Sequence, residues 1–199
     1  SYPGPATTIN TSLRRYAGGF PAPTIRLQAG DMLRMRLVNR LPASPRGQSS
    51  LQFLNYQNST NLHFHGLHVS PEKVGNLYGD YVVDMPDAGV LPGDVRQHQI
   101  VIPGNHPPGI FWYHPHLHGS SGAQVGSGMF GAIVIEDPSN KTIFDPAVVR
   151  ERIIFVHKYN LNASGRTDSF YDSALTKPSG FLLNGSYQPT LVMRPGEVQ

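Results

Sequence analysis

The chain has 199 residues, 39% apolar and 15% charged, enough for one domain with a buried core plus a second small domain or part of one. Its net charge of +3 is scattered, and no basic run is interleaved with aromatic residues as single-strand binding requires, so nucleic acid is not an expected partner. No stretch approaches the roughly 20 apolar residues of a membrane span, and the absence of Cys excludes disulfides, thiolate metal ligands and thiol nucleophiles within these residues. No charged-then-apolar leader precedes Ser1, so the expectation is a soluble chain from which any export signal has been removed.

Frequent Gly and Pro between short apolar runs favour an all-β fold. Residues 23–31 form a Pro-led strand ending in a Gly30-Asp31 turn. The run that follows, 32–39, alternates with period two, placing Leu33, Met35 and Leu37 on one face and Arg34 and Arg36 on the other. Further strands are predicted at 50–54, 62–69, 97–102, 109–114 and 131–136, separated by clusters of Gly, Pro, Asn and Asp. The stretch 70–94 reads as a long loop bearing function or an interface. Strands at this spacing, with no helical period between them, predict a sandwich or barrel.

After Pro138 the pattern restarts with an apolar strand at 152–157. Residues 189–197 then repeat the motif that begins at Pro23: Pro23 and Pro189, Gly30 and Gly196, and Asp31 and Glu197 share one offset. The division that follows is a first domain over 1–138, then a linker and the N-terminal part of a second domain over 139–199. About 60 residues cannot complete a sandwich of roughly 100, so more chain or a partner is expected to supply the remainder.

Nine histidines are present, four of them in His63-Phe64-His65-Gly66 and His114-Pro115-His116. On a strand, residues i and i+2 share a side and stand about 6.5 to 7 Å apart, so each pair can offer two imidazoles to one metal cluster. A lone His on a strand is most often a surface or satisfied core residue. Two His-x-His pairs beside aromatic residues and glycine point instead to metal, and imidazole suits copper, zinc and iron. A closed zinc site takes four ligands in a tetrahedron, often with Cys, whereas here the ligands are paired and thiolates are missing.

The segments Thr60-Asn61-Leu62-His63-Phe64-His65-Gly66-Leu67 and Gly109-Ile110-Phe111-Trp112-Tyr113-His114-Pro115-His116 resemble the first two copper-binding motifs of the multicopper oxidases. Residues 23–39 and 184–197 resemble the starts of that family's first and second domains. The resemblance implies a cupredoxin-like Greek-key β-sandwich followed by a partial second cupredoxin domain, in a laccase-like enzyme. It places His63 on the type 2 copper, His65 and His114 on one type 3 copper, and His116 on the other. In the family, dioxygen is reduced to water at these three coppers, which receive electrons one at a time from a type 1 copper that oxidises the substrate.

For the family's acidic proton relay, Asp84 in Val82-Val83-Asp84-Met85-Pro86 is the best match and Asp80 the second; either fits equally as a turn-former. His118 falls on the ligand side if its strand continues, and His68 has the opposite parity; both read as residues that orient ligands or line a channel. His98, His106 and His157 read as structural, and Trp112 and Tyr113 as packing that fixes ligand rotamers.

The chain departs from the family's full pattern in lacking the His-Cys-His segment and, with no Cys at all, any type 1 site. In the family those ligands come from the last cupredoxin domain of the same chain or from a neighbouring subunit. The expected partners are therefore those domains, dioxygen and a small reducing substrate, with phenols and cuprous, ferrous or manganous ions all open. A periplasmic or extracellular location is expected. The rival reading is a copper-binding or copper-carrying protein without oxidase activity, against which the five Met are scattered rather than clustered. A metal-free scaffold is the second rival, against which all four ligand positions are His.

Overall fold

The computed structural model describes residues 13–43, 57–82, 89–137, 149–159 and 180–199. Its elements are β1 (Ile25–Gln28), β2 (Met32–Val38), β3 (His63–His65), β4 (Lys73–Val74), β5 (Leu77–Tyr78), β6 (Val95–Val101), β7 (Gly109–His114), α1 (Ser121–Ser127), β8 (Gly131–Glu136), β9 (Val156–Tyr159) and β10 (Gly180–Leu183). One sheet runs in the order β1-β8-β7-β3 and another in the order β2-β6-β5-β4, while β9 and β10 form an antiparallel pair. Pairing within the two larger sheets is antiparallel except for β1 with β8 and β5 with β6.

Alternation builds the core. In β2, Leu33, Met35 and Leu37 turn inward and Arg34 and Arg36 stay exposed. Leu27, Phe64, Tyr113, Ile133 and Ile135 of the first sheet meet Leu37 and Ile100 of the second, with Leu62, Leu67, Val90 and Ile102 closing the ends. Phe64 is fully buried between the two histidines of β3, which contributes about 1.5–3 kcal/mol and fixes which way those histidines face.

The chain leaves the first sheet for the second at the Gly30-Asp31 turn, where Gly30 takes φ 93° and the Gln28 N–H donates to Asp31 Oδ2 at 2.7 Å. The later copy of the motif makes the same turn. Gly196 has φ 78°, and the Arg194 N–H donates to Glu197 Oε2 at 2.7 Å. No strand forms over the described residues 189–197, however, because no neighbouring strand pairs with them.

Several expectations are corrected. The strand predicted at 62–69 ends at His65, since Gly66 has φ 86° and a Cβ there would lie 2.9 Å from the Phe111 ring. The stretch 70–94 is not all loop: it carries the short β4–β5 hairpin. The strand predicted at 152–157 pairs only from Val156 onward. The strand predicted at 50–54 lies outside the described residues.

Helix α1 was not expected. Its sequence, SGAQVGS, has no apolar period, and polar anchoring holds it instead. Gln124 is fully buried; its Nε2 donates to Gln57 O at 3.0 Å and Ser59 O at 2.6 Å, and its Oε1 accepts from Thr60 Oγ1 at 2.8 Å. Ser120 Oγ donates to Ser59 O at 3.1 Å. These bonds tie the helix to the segment entering β3. The antiparallel β9–β10 pair packs alongside, with His157 against the rings of Phe20 and Phe130 at 5.3 and 5.1 Å.

Burial lowers the proton affinity of both His98 and His157, with carbonyl neighbours pulling the other way. Their folded values lie below the ordinary 6.5, so in mild acid the unfolded chain binds more protons than the folded one. The stability they contribute is present above about pH 6.5 and lost as pH falls toward the folded values. The urea midpoint of the metal-free protein is expected to be level above about pH 6.5 and to drop below it, with a shallower drop in His98→Gln. An unchanged slope in that variant would contradict the role of His98.

Candidate metal centre

Strands β3 and β7 pair so that His63 faces His114, Phe64 faces Tyr113 and His65 faces Trp112. Phe64 and Tyr113 point into the core, where the Tyr113 hydroxyl donates to Pro23 O at 2.7 Å. Alternation then sends His63, His65, Trp112 and His114 to the opposite face. His63 sits at the centre of the group, its ring centroid 5.3 Å from that of His65, 5.2 Å from His114 and 5.0 Å from His116. His63, His65 and His114 each offer a ring nitrogen within 4.8 Å of the others. All four histidines singled out in the sequence are thus brought together.

The hydrogen bonds assign the free ring nitrogens. His63 Nδ1–H donates to the Asp80 carboxylate at 2.9 and 3.0 Å, leaving Nε2 with its lone pair. His114 Nδ1–H donates to Pro115 O at 2.8 Å, and its Nε2 accepts from His65 Nδ1–H at 3.2 Å. Burial, with added repulsion from His63, His65 and His116, pushes the His114 imidazole down to about 4, opposed by the Pro115 carbonyl. His114 is therefore a neutral donor, ready for a cation, at neutral pH. The Trp112 ring stacks on His114 with centroids 3.9 Å apart and on His65 at 5.1 Å, a flat wall that restricts both imidazoles.

Asp80 also accepts the Phe64 N–H at 2.9 Å, so one carboxylate fixes both the ring and the backbone at the first His pair. The β4–β5 hairpin delivers it. Gly79 N donates to Glu72 O at 2.8 Å and Asp80 N to Ser70 O at 2.9 Å, and a Cβ on Gly79 would lie 2.2 Å from Ser70 O. His98, packed against Phe64, donates from Nδ1 to Gly79 O at 3.2 Å. Asp84, the sequence's first choice for the acidic role, lies outside the described residues. The signal that could have favoured Asp80 is Gly75-Asn76 between Val74 and Leu77, a two-residue hairpin turn that carries the chain back.

His68 and His106 pair with each other. His106 accepts the His68 N–H at Nε2 (3.1 Å) and donates from Nδ1 to Pro107 O (2.8 Å), so both its nitrogens are engaged by backbone. The His68 ring packs on it at 4.9 Å. His118 is exposed beyond the turn. The donor set is four imidazoles with a carboxylate behind one of them, and it suits copper, zinc or iron. His65 and His116 are exposed while His114 is buried, an arrangement unlike the closed tetrahedral shell of a structural zinc site. It fits one side of a larger metal cluster whose other ligands come from elsewhere.

Comparison with known proteins agrees with this geometry. Residues 50–140 match the sequence profile of the family described as multicopper oxidase. Over 188 residues the chain is 29% identical to the iron transport multicopper oxidase FET5 of Saccharomyces cerevisiae, covering 92% of this chain and 26% of that protein. It is 25% identical over 191 residues to the multicopper oxidase mco of Staphylococcus aureus, covering 92% of this chain and 36% of that one. Among solved structures, a metallo-oxidase of Campylobacter jejuni described as a multicopper oxidase superposes with a TM-score of 0.65 at 24% identity, covering 89% of this chain and 32% of that one. The chain thus spans about a quarter to a third of the length of these relatives. The all-β, cupredoxin-type sandwich read from the sequence holds, and the chain is similar, over residues 50–140 above all, to the multicopper oxidases, a copper-using family of oxidoreductases.

Proposed function

We propose that this chain is a component of a laccase-like multicopper oxidase and supplies four His ligands of its trinuclear copper cluster. The observation that carries the reading is the convergence of His63, His65, His114 and His116 on one face, with His65 Nδ1 and His114 Nε2 only 3.2 Å apart. Copper bound there supplies one-electron redox chemistry, coupling oxidation of a small reducing substrate to four-electron reduction of dioxygen to water. In this reading His63 holds the type 2 copper, His65 and His114 one type 3 copper, and His116 the other. The type 1 copper and the remaining ligands belong to further cupredoxin domains, in the same protein or in a neighbouring subunit.

Within the chain, Asp80 keeps His63 in the tautomer that leaves Nε2 free, and among the described residues its carboxylate is the acidic group best placed to hold or pass a proton beside the cluster. Trp112 limits rotation of His65 and His114, so the two imidazoles do not have to be ordered when metal arrives. The matched turns at Gly30 and Gly196 support a first cupredoxin domain over 1–138, with a linker and the start of a second over 139–199. The use of copper and dioxygen supports a periplasmic or extracellular location.

In the full-length protein, dioxygen uptake is expected with at least one of a phenol, Fe(II), Cu(I) or Mn(II). A His65→Ala/His114→Ala double variant is expected to abolish it while the substrate still bleaches the type 1 absorbance. Copper retention without dioxygen uptake in the unmodified protein would favour the copper-binding reading instead.

Asp80 separates two roles. Asp80→Ala is expected to weaken copper affinity about 10- to 100-fold. Asp80→Asn, which keeps an acceptor oxygen but loses the charge, is expected to retain copper and slow dioxygen uptake. Identical behaviour of the two variants would contradict the proton role.

A further inference from the structure

The ladder between β3 and β7 ends at the rung joining His63 and His114, and the chain runs on from β7 through Pro115. One register step further along, Asn61 lies opposite His116. There the side chain takes over from the backbone: Asn61 Oδ1 accepts the His116 N–H at 2.6 Å. Asn61 is fully buried, and its own carbonyl accepts from the Tyr16 hydroxyl at 3.3 Å. That backbone belongs to the segment that Gln124 and Ser120 clamp to α1.

The other end of the same side chain is costly. Asn61 Nδ2 is buried with no hydrogen-bond partner among the described residues, and a buried donor without a partner is costly. A residue selected for packing alone would not keep that amide at a fully buried position two residues before a metal-ligand candidate. The oxygen that reaches His116 accounts for its presence.

Resting on the copper reading above, we propose that Asn61 is a positioning residue that extends the β3–β7 register past Pro115 and holds His116 at the cluster. It binds no metal itself. Through it, the entry to the first His pair and the second ligand of the second pair move as one unit.

The test uses the full-length protein loaded with Cu(II), reading copper per chain and the electron paramagnetic resonance spectrum, with the melting temperature of the metal-free form as a control for folding. Asn61→Leu is expected to lose the same copper as His116→Ala, and Asn61→Asp, which restores an acceptor oxygen, is expected to recover it. Copper loss in His116→Ala but not in Asn61→Leu would overturn the inference and leave the copper reading intact. No loss in either would overturn both. Should Asn61→Leu fail to fold, hydrogen exchange of the His116 amide in the unmodified metal-free protein decides: exchange slowed about ten-fold or more relative to an open chain supports the bond, and open-chain exchange overturns it.

Discussion

The antiparallel pairing of β3 with β7, in the register that sets His63 opposite His114, is the constraint on which the site depends. Side-chain direction on a strand alternates, so a slip of one residue would bury the imidazoles and expose Phe64. The core prevents that slip. Phe64 and Tyr113 lie side by side among Leu27, Ile100, Ile133 and Ile135, and the Tyr113 hydroxyl is bonded to Pro23. A Cβ on Gly131 would collide with the Tyr113 ring, so the neighbouring strand is cut to fit the same side chain. Apolar packing on one face thereby fixes the positions of the imidazoles on the other.

Hydrogen bonds then refine what packing sets coarsely. Each His pair has one ring nitrogen committed to an oxygen of the protein, Asp80 for His63 and Pro115 O for His114. The His63 Nε2 lone pair is left without a protein partner among these hydrogen bonds, and the stacked Trp112 ring limits how far His65 and His114 can turn. The contact between His65 and His114 joins two imidazoles that a shared metal ion would draw to itself. The exposed side of the group is where a second domain would complete it.

Much of this was legible in the sequence because it depends on short periods. The strands 109–114 and 131–136 match β7 and β8, and the two His-x-His pairs announce a shared face. What was not legible depends on contacts between distant residues. Helix α1 has no apolar stripe and is held by Gln124 and Ser120 reaching residues 57–60, which no local pattern reveals. Spacing along a loop says little about where it returns, so the contact between Asp80 and His63 could not be read from the sequence. That contact is set by the β4–β5 hairpin and by Gly79 passing close to Ser70. His106 reads as structural in the sequence, and both its nitrogens are engaged by backbone.

The central claim is that these four imidazoles hold copper in the whole protein. Anomalous diffraction at the copper edge, from crystals of the full-length, copper-loaded protein, tests it most directly. The account predicts copper held by the His63, His65, His114 and His116 imidazoles. Copper confined to other parts of the protein, with the His65–His114 hydrogen bond still in place, would contradict it.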